Sequence, residues 1–173
     1  MIPQTSGPAA EPPAQQSAGP QTRKVAGVQD VEAIAVRLRD ARSLPELLAV
    51  SFDAFEVIRV LARGSEDLTP SLFAAFVTAA DAAVDGREAI TVAPSLSPAP
   101  GGTLFASPPA ANTDTDTIAD ALAALGALLD ERLAHAANRA LISGDRAPCQ
   151  EAAEAGRRIH QLMARDDNDR HLR

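Results

Sequence analysis

Asp53 and Glu56 are the first pair of residues in this chain that could perform acid–base chemistry. They lie three residues apart and would share one face of a helix. Arg59 and Arg63 follow Glu56 at offsets of three and seven residues, on the same face. Carboxylates followed by arginines at these spacings are typical of a solvated, ion-paired surface stripe. The sequence therefore predicts surface ion pairs here and not a catalytic carboxylate pair.

Cys149 is the one cysteine of the chain and a candidate nucleophile near the start of a predicted helix. A nucleophilic thiol needs a histidine base within hydrogen-bond reach. His160 is eleven residues further along the same helix, and eleven residues correspond to about 16 Å of helical rise. His135, on the preceding helix, is two positions from Leu133 and is rotated away from the apolar stripe. We expect a small buried thiol that forms no internal disulfide.

Metal, phosphate and cofactor motifs are not found in the sequence. The di-iron carboxylate pattern needs two Glu-x-x-His elements on separate helices, whereas Glu131 and His135 provide a single pair four residues apart. Asp166, Asp167 and Asp169 lack the glycine and the terminal glutamate of a calcium-binding loop. The glycine-rich phosphate-binding patterns do not occur. The sequence predicts a protein without a cofactor or a bound metal.

The charge of the chain argues against nucleic acid and membranes as partners. The formal net charge is -7, and the basic cluster of Arg37, Arg39 and Arg42 is interrupted by Asp40 and lacks aromatic residues for base stacking. No stretch approaches the ~18 uninterrupted apolar residues of a membrane span, and the amino terminus lacks the pattern of a secretory signal. We expect an acidic cytoplasmic protein, and the alanine-rich composition with one lysine favours a bacterial origin.

Helical periodicity organises most of the remaining chain, with apolar residues recurring at three- and four-residue steps. The predicted helices begin near Val28, at the capping box Ser43-Leu44-Pro45-Glu46, at Thr69-Pro70, near Asp114 or Asp116, and at Asp145. Asp30 and Asp145 are the predicted caps of the first and the last helix. Gly64 is predicted to end the second helix in the left-handed conformation, and Asp85-Gly86 to end the third.

These signals predict an all-α fold, an antiparallel bundle of about five helices built from a three-helix unit and a helical hairpin. The bundle domain would span 28–165. A disordered leader would precede it over 1–27, and a charged tail would follow it over 166–173. Prolines and glycines between 87 and 113 predict a long flexible loop inside the domain, and loops of this length are usually disordered or functional.

Two hypotheses about function are compatible with this sequence. The first is a non-catalytic helical interaction or scaffold protein that self-associates or binds a protein partner, because the second helix is apolar around most of its circumference. Leu104 and Phe105, an apolar pair in the loop, either bind that partner or dock back onto the helices. The second is a small-molecule or acyl-chain binding module with a pocket between the helical units. Four phenylalanines would line the pocket, or else form core: Phe52, Phe55, Phe73 and Phe76.

Overall fold

Five α-helices account for most of the described chain in a computed structural model that describes residues 27–97 and 114–164. Their bounds are α1 Val28–Asp40, α2 Leu44–Ser65, α3 Phe73–Thr91, α4 Thr115–Arg139 and α5 Ser143–Met163, with a short 3-10 turn at Pro70–Leu72 before α3. The described residues contain no strand, which confirms the predicted all-α class. The predicted tail, most of the leader and of the loop, and the pair Leu104 and Phe105 lie outside the described residues.

The helices pack as an antiparallel bundle around one core. α2 lies between α1 and α3, α3 packs against α5, α5 packs against α4, and α4 packs back against α1. Within the α4–α5 hairpin, Ala123 lies opposite His160 and Asp130 lies opposite Arg157, so the two helices run in opposite directions. The hairpin and the first three helices share one core, to which all five helices contribute fully buried side chains, among them Leu38, Leu48, Ile90, Leu122 and Ile159.

Side-chain caps explain where α2 and α4 begin. Ser43 has an extended backbone, and its Oγ accepts a hydrogen bond from the Glu46 N–H at 3.3 Å. Asp114 likewise accepts hydrogen bonds from two N–H groups in the first turn of α4, both at 3.3 Å. Each bond satisfies a donor that has no partner inside the helix. Both predicted helix starts are confirmed.

The third helix continues through Gly86, where the sequence predicted its end. α3 extends to Thr91, so the predicted loop beginning at Arg87 is wrong over residues 87–91. A Cβ atom placed on Gly86 would lie 2.5 Å from Cζ of the buried Phe55 ring. The glycine therefore permits α2 and α3 to approach closely and does not terminate the helix.

Three further predictions about helix ends are wrong. α1 begins after Gly27, whose φ of 135° is available to glycine and strained for other residues, and Asp30 lies inside the first turn. Gly64 stays within α2 and does not take a positive φ. Asp145 lies in the first turn of α5, where its carboxylate bonds to the chain segment that follows α3 instead of capping its own helix.

Candidate functional site

The candidate carboxylates on α2 are engaged in ion pairs, as predicted. The Glu56 carboxylate binds Arg59 at 2.6 Å and also binds Arg87 of α3. The hydrogen bond from Arg59 lowers the pKa of Glu56, burial opposes that effect, and the charge of Arg87 lowers the pKa further. Asp53 pairs with Arg37 of α1 at 3.2 Å. These contacts link neighbouring helices and leave neither carboxylate placed as a general base.

The four phenylalanines predicted to bind a ligand differ in their exposure. Phe55 and Phe76 are 0% exposed and belong to the core, so a ligand cannot touch them without displacing core side chains. Phe52 is half-buried beneath the Arg87 guanidinium, which lies 4.6 Å from the ring centroid. Phe73 is 48% exposed at the start of α3. None of the four lines the cleft described below.

Cys149 is a buried thiol, as the sequence predicted. Burial and, to a smaller extent, the charge of Asp145 raise the pKa of this thiol to about 11. Its sulfur therefore remains protonated near neutral pH, where a thiolate nucleophile would be needed. His160, on the same helix, has Nδ1 3.1 Å from the carbonyl oxygen of Ala123.

A cleft of about 550 Å³ opens at the end of the bundle where the α1–α2 and α4–α5 connections meet. Arg42 from the first connection and Arg132 and Arg139 from α4 line it. Leu141 and Ile142, in the α4–α5 connection, are exposed at its edge. We call the site formed by these five residues the arginine cleft.

The last two turns of α4 direct two of the arginines toward the cleft. Arg132 and Arg139 are seven residues apart, which is about two helical turns, so they share one face. The Arg132 Nη2 donates a hydrogen bond to the carbonyl oxygen of Ala41 at 2.6 Å, immediately after α1. This contact holds one guanidinium in place, and a guanidinium has further N–H groups with which to bind a ligand. Arg139 Nη1 lies 3.4 Å from Nε2 of the exposed His135.

The arginines of the cleft have no carboxylate within ion-pair distance among the described residues. Six other described arginines are ion-paired: Arg37, Arg59, Arg63, Arg87, Arg157 and Arg158. Arg39 and Arg146 are unpaired within the same ranges but lie outside the cleft. Unpaired positive charge is thus concentrated at one end of a chain whose formal net charge is -7.

Asp145 lies fully buried at the cleft and fixes one of its walls. Its Oδ1 accepts a hydrogen bond from the Ser95 N–H at 2.9 Å, and its Oδ2 accepts one from the Ser95 Oγ at 2.6 Å. A buried carboxylate is tolerated when hydrogen bonds replace those that it made with water. The pair attaches the segment after α3 to the first turn of α5.

Serine, histidine and aspartate side chains all line this cleft, but they are not connected as in a nucleophilic enzyme. In such an enzyme the histidine lies between the serine and the carboxylate and takes the serine proton. Here Ser95 donates directly to Asp145, and His135 contacts Arg139 instead of either residue. In the ranges that the structure describes, no group of three His, Cys, Asp or Glu side chains could hold a metal ion. The arrangement is suited to binding an anion.

Sequence reasoning missed the arginine cleft because its parts are far apart in the chain. The sequence groups Arg42 with Arg37 and Arg39, but Arg37 forms an ion pair with Asp53 of α2. Arg132 lies ninety residues after Arg42 in the sequence, and both line one cleft because α1 packs on α4. The available signal was the recurrence of two basic side chains, Arg132 and Arg139, on one face over the last two turns of α4.

Comparisons with known proteins supply no family for this chain. It matches no protein-family model, and no curated protein or solved structure is similar enough to count as a match. Over the described ranges, none of the helices combines the length and the apolar character that crossing a bilayer requires.

Proposed function

We propose that this chain is a non-catalytic binding protein whose site is the arginine cleft and whose ligand is a small anionic molecule. The supporting observation is the convergence of Arg42, Arg132 and Arg139, unpaired among the described residues, on a cleft of about 550 Å³. Small-molecule sites typically occupy about 300–1,000 Å³. Guanidinium groups bind carboxylates and phosphates through paired N–H donors. We place this protein in the bacterial cytoplasm on the composition arguments given above.

The local charge of the cleft supports this proposal. Three arginines line it together with one carboxylate, that of Asp145, which already accepts two hydrogen bonds from Ser95. An anion entering the cleft is therefore attracted locally, although the formal charge of the whole chain is -7. Because the attraction is electrostatic and the cleft is open to solvent, binding should weaken as salt is added.

Thermal unfolding at low ionic strength, with a panel of organic carboxylates and phosphates, tests this proposal. A ligand present at a hundred times its Kd stabilises the folded protein by about 2.7 kcal/mol. We expect such a gain for the wild type and for Arg39→Gln, and at most about half of it for Arg139→Gln, whose Kd should rise about 10-fold or more. Arg39 is the matched control because it is an exposed, unpaired arginine of the described residues that lies outside the cleft. A wild-type protein unaffected by the whole panel would count against the proposal.

Association with a protein partner or a second copy is the alternative proposal. The broad apolar face of α2 gives it little support, because half of α2 is buried inside the bundle, including Leu48, Phe55 and Ile58. The adjacent pair Leu141 and Ile142 gives it separate support, since both aliphatic side chains are exposed. Sedimentation equilibrium tests self-association, and a monomer at the highest accessible concentration would exclude a stable oligomer.

A further inference from the structure

We infer that the anion recognised by the arginine cleft is an aliphatic carboxylate, with the carboxylate at Arg132 and Arg139 and the chain along the aliphatic side chains of the cleft. This inference rests on the proposed function and specifies its ligand class. The cleft joins two chemically different parts: guanidinium groups from α4 and a set of aliphatic residues, namely Leu44, Leu47, Leu141 and Ile142.

The exposed aliphatic pair is the observation that favours a ligand with a chain over a polyanion. Leu141 is fully exposed and Ile142 is 52% exposed. They directly follow Ala140 in the connection that leaves the arginine-bearing end of α4. A polyanion would satisfy the arginines and leave both aliphatic side chains in water. An alkyl chain would cover them and gain affinity from each buried methylene, about 4-fold per group.

The position of Arg132 explains how a single carboxylate could be bound. Its hydrogen bond to Ala41 restricts the guanidinium before a ligand arrives, so that less side-chain entropy is lost on binding. Arg139 lies two turns further along the same face, where it contacts His135 and no carboxylate among the described residues. Leu44, half-buried at the start of α2, offers an apolar surface beside the charged end.

Isothermal titration calorimetry with a homologous series tests this ligand class. The probes are butanoate, hexanoate, octanoate and decanoate below their micelle-forming concentrations, with phosphate as an anion without a chain and octanol as a chain without a charge. We expect Kd to fall about 4-fold for each added methylene. Arg139→Gln should weaken every carboxylate by the same factor, about 10-fold or more, because a charge-assisted hydrogen bond is lost.

The double variant Leu141→Ser/Ile142→Ser distinguishes the contribution of the ligand's alkyl chain from that of its charge. It should reduce the gain in affinity for each added methylene and leave the affinity for phosphate unchanged. Val92→Ser is the matched control, because Val92 is 69% exposed at the end of α3 and does not line the cleft. A full chain-length dependence in the double variant would overturn the inference.

Methyl NMR locates the bound chain. Among the described isoleucines Ile142 is the exposed one, whereas the other five are at most 1% exposed: Ile34, Ile58, Ile90, Ile118 and Ile159. Octanoate should shift the Ile142 methyl signals and leave the five core residues unchanged. Shifts spread over the core signals would overturn the inference, because they would place the chain inside the bundle.

The outcomes of the titration distinguish the two levels of the proposal. If phosphate or short carboxylates bind through Arg139 and longer chains add nothing, the ligand class is wrong and the anion-binding function stands. If no probe binds, both fail. If octanoate fails to bind in solution but vesicles of anionic lipid bind the protein in an Arg139-dependent manner, the cleft recognises a bilayer surface and the inference is also overturned.

Discussion

Replacing Gly86 by alanine tests whether the contact between α2 and α3 sets the spacing of these helices. The added Cβ would lie 2.5 Å, 2.6 Å and 2.8 Å from Cζ, Cε1 and Cε2 of the Phe55 ring. Carbon atoms in favourable contact are about 3.5–4.0 Å apart, so the ring or a helix would have to move by about 1 Å. Phe55 is 0% exposed, and its ring therefore has no solvent into which it could swing.

Two effects of opposite sign determine the change in stability. Overpacking a core typically costs about 1–3 kcal/mol, and three close contacts to a fully buried ring favour the upper end. Alanine in a helix gains about 1 kcal/mol over glycine. We expect Gly86→Ala to lower the free energy of unfolding by about 2 kcal/mol, which for a domain of this size lowers Tm by about 8 °C.

Urea unfolding followed by far-ultraviolet circular dichroism measures this effect, because the chain has no Trp or Tyr for fluorescence. Gly64→Ala is the matched control: Gly64 lies in α2 but is exposed, so only the helix-propensity gain of about 1 kcal/mol applies. Phe55→Leu should lower the free energy of unfolding less in the Gly86→Ala background than in the wild type, since the smaller side chain relieves the clash. If Gly86→Ala were as stabilising as Gly64→Ala, the close-contact interpretation would be refuted.

Glu56→Gln should lower the free energy of unfolding by about 0.5–1 kcal/mol near neutral pH. Because the folded protein lowers the pKa of Glu56, the ion pairs stabilise the fold above pH 4.5, the ordinary pKa of the side chain, and this contribution is lost as the pH falls below it. A difference in urea midpoint between Glu56→Gln and wild type that did not depend on pH would contradict this assignment. Asp145→Ala should leave both Ser95 donors unpaired and lower the free energy of unfolding by about 1–3 kcal/mol. Amide hydrogen exchange at Ser95 should become faster. Unchanged exchange would show that the pair does not hold the cleft wall. Cys149, buried and with a pKa raised to about 11, should react with a disulfide reagent only after denaturation, so rapid labelling of the native protein would argue against its burial.

Signals that act within one helical turn were readable from the sequence. Ser43 and Asp114 mark the starts of α2 and α4 because a cap bonds to N–H groups two or three residues away. The sequence near Gly86 leaves its role open, because glycine is common both at helix ends and at close helix contacts. Only the position of Phe55, thirty-one residues earlier, distinguishes these two roles.

The candidate site depends almost entirely on contacts between distant parts of the chain. The position of Asp145 in the sequence fits a helix cap, yet its hydrogen-bond partner Ser95 lies fifty residues earlier. Arg132 and Arg139 could be placed on one face of α4, but their convergence with Arg42 follows from the packing of α4 against α1. The wide apolar face of α2 was correctly identified, and the number of neighbouring helices that cover it was not readable from α2 alone.

The packing of the α4–α5 hairpin into the bundle also determines how the protein unfolds. α5 packs against α3 and α4 packs against α1, so neither 27–97 nor 114–164 has a complete apolar interior of its own. Thermal melting should therefore be a single all-or-none event instead of two successive ones. A protease cut between these two ranges would yield two pieces that stay associated under native conditions and separate only when the bundle is denatured.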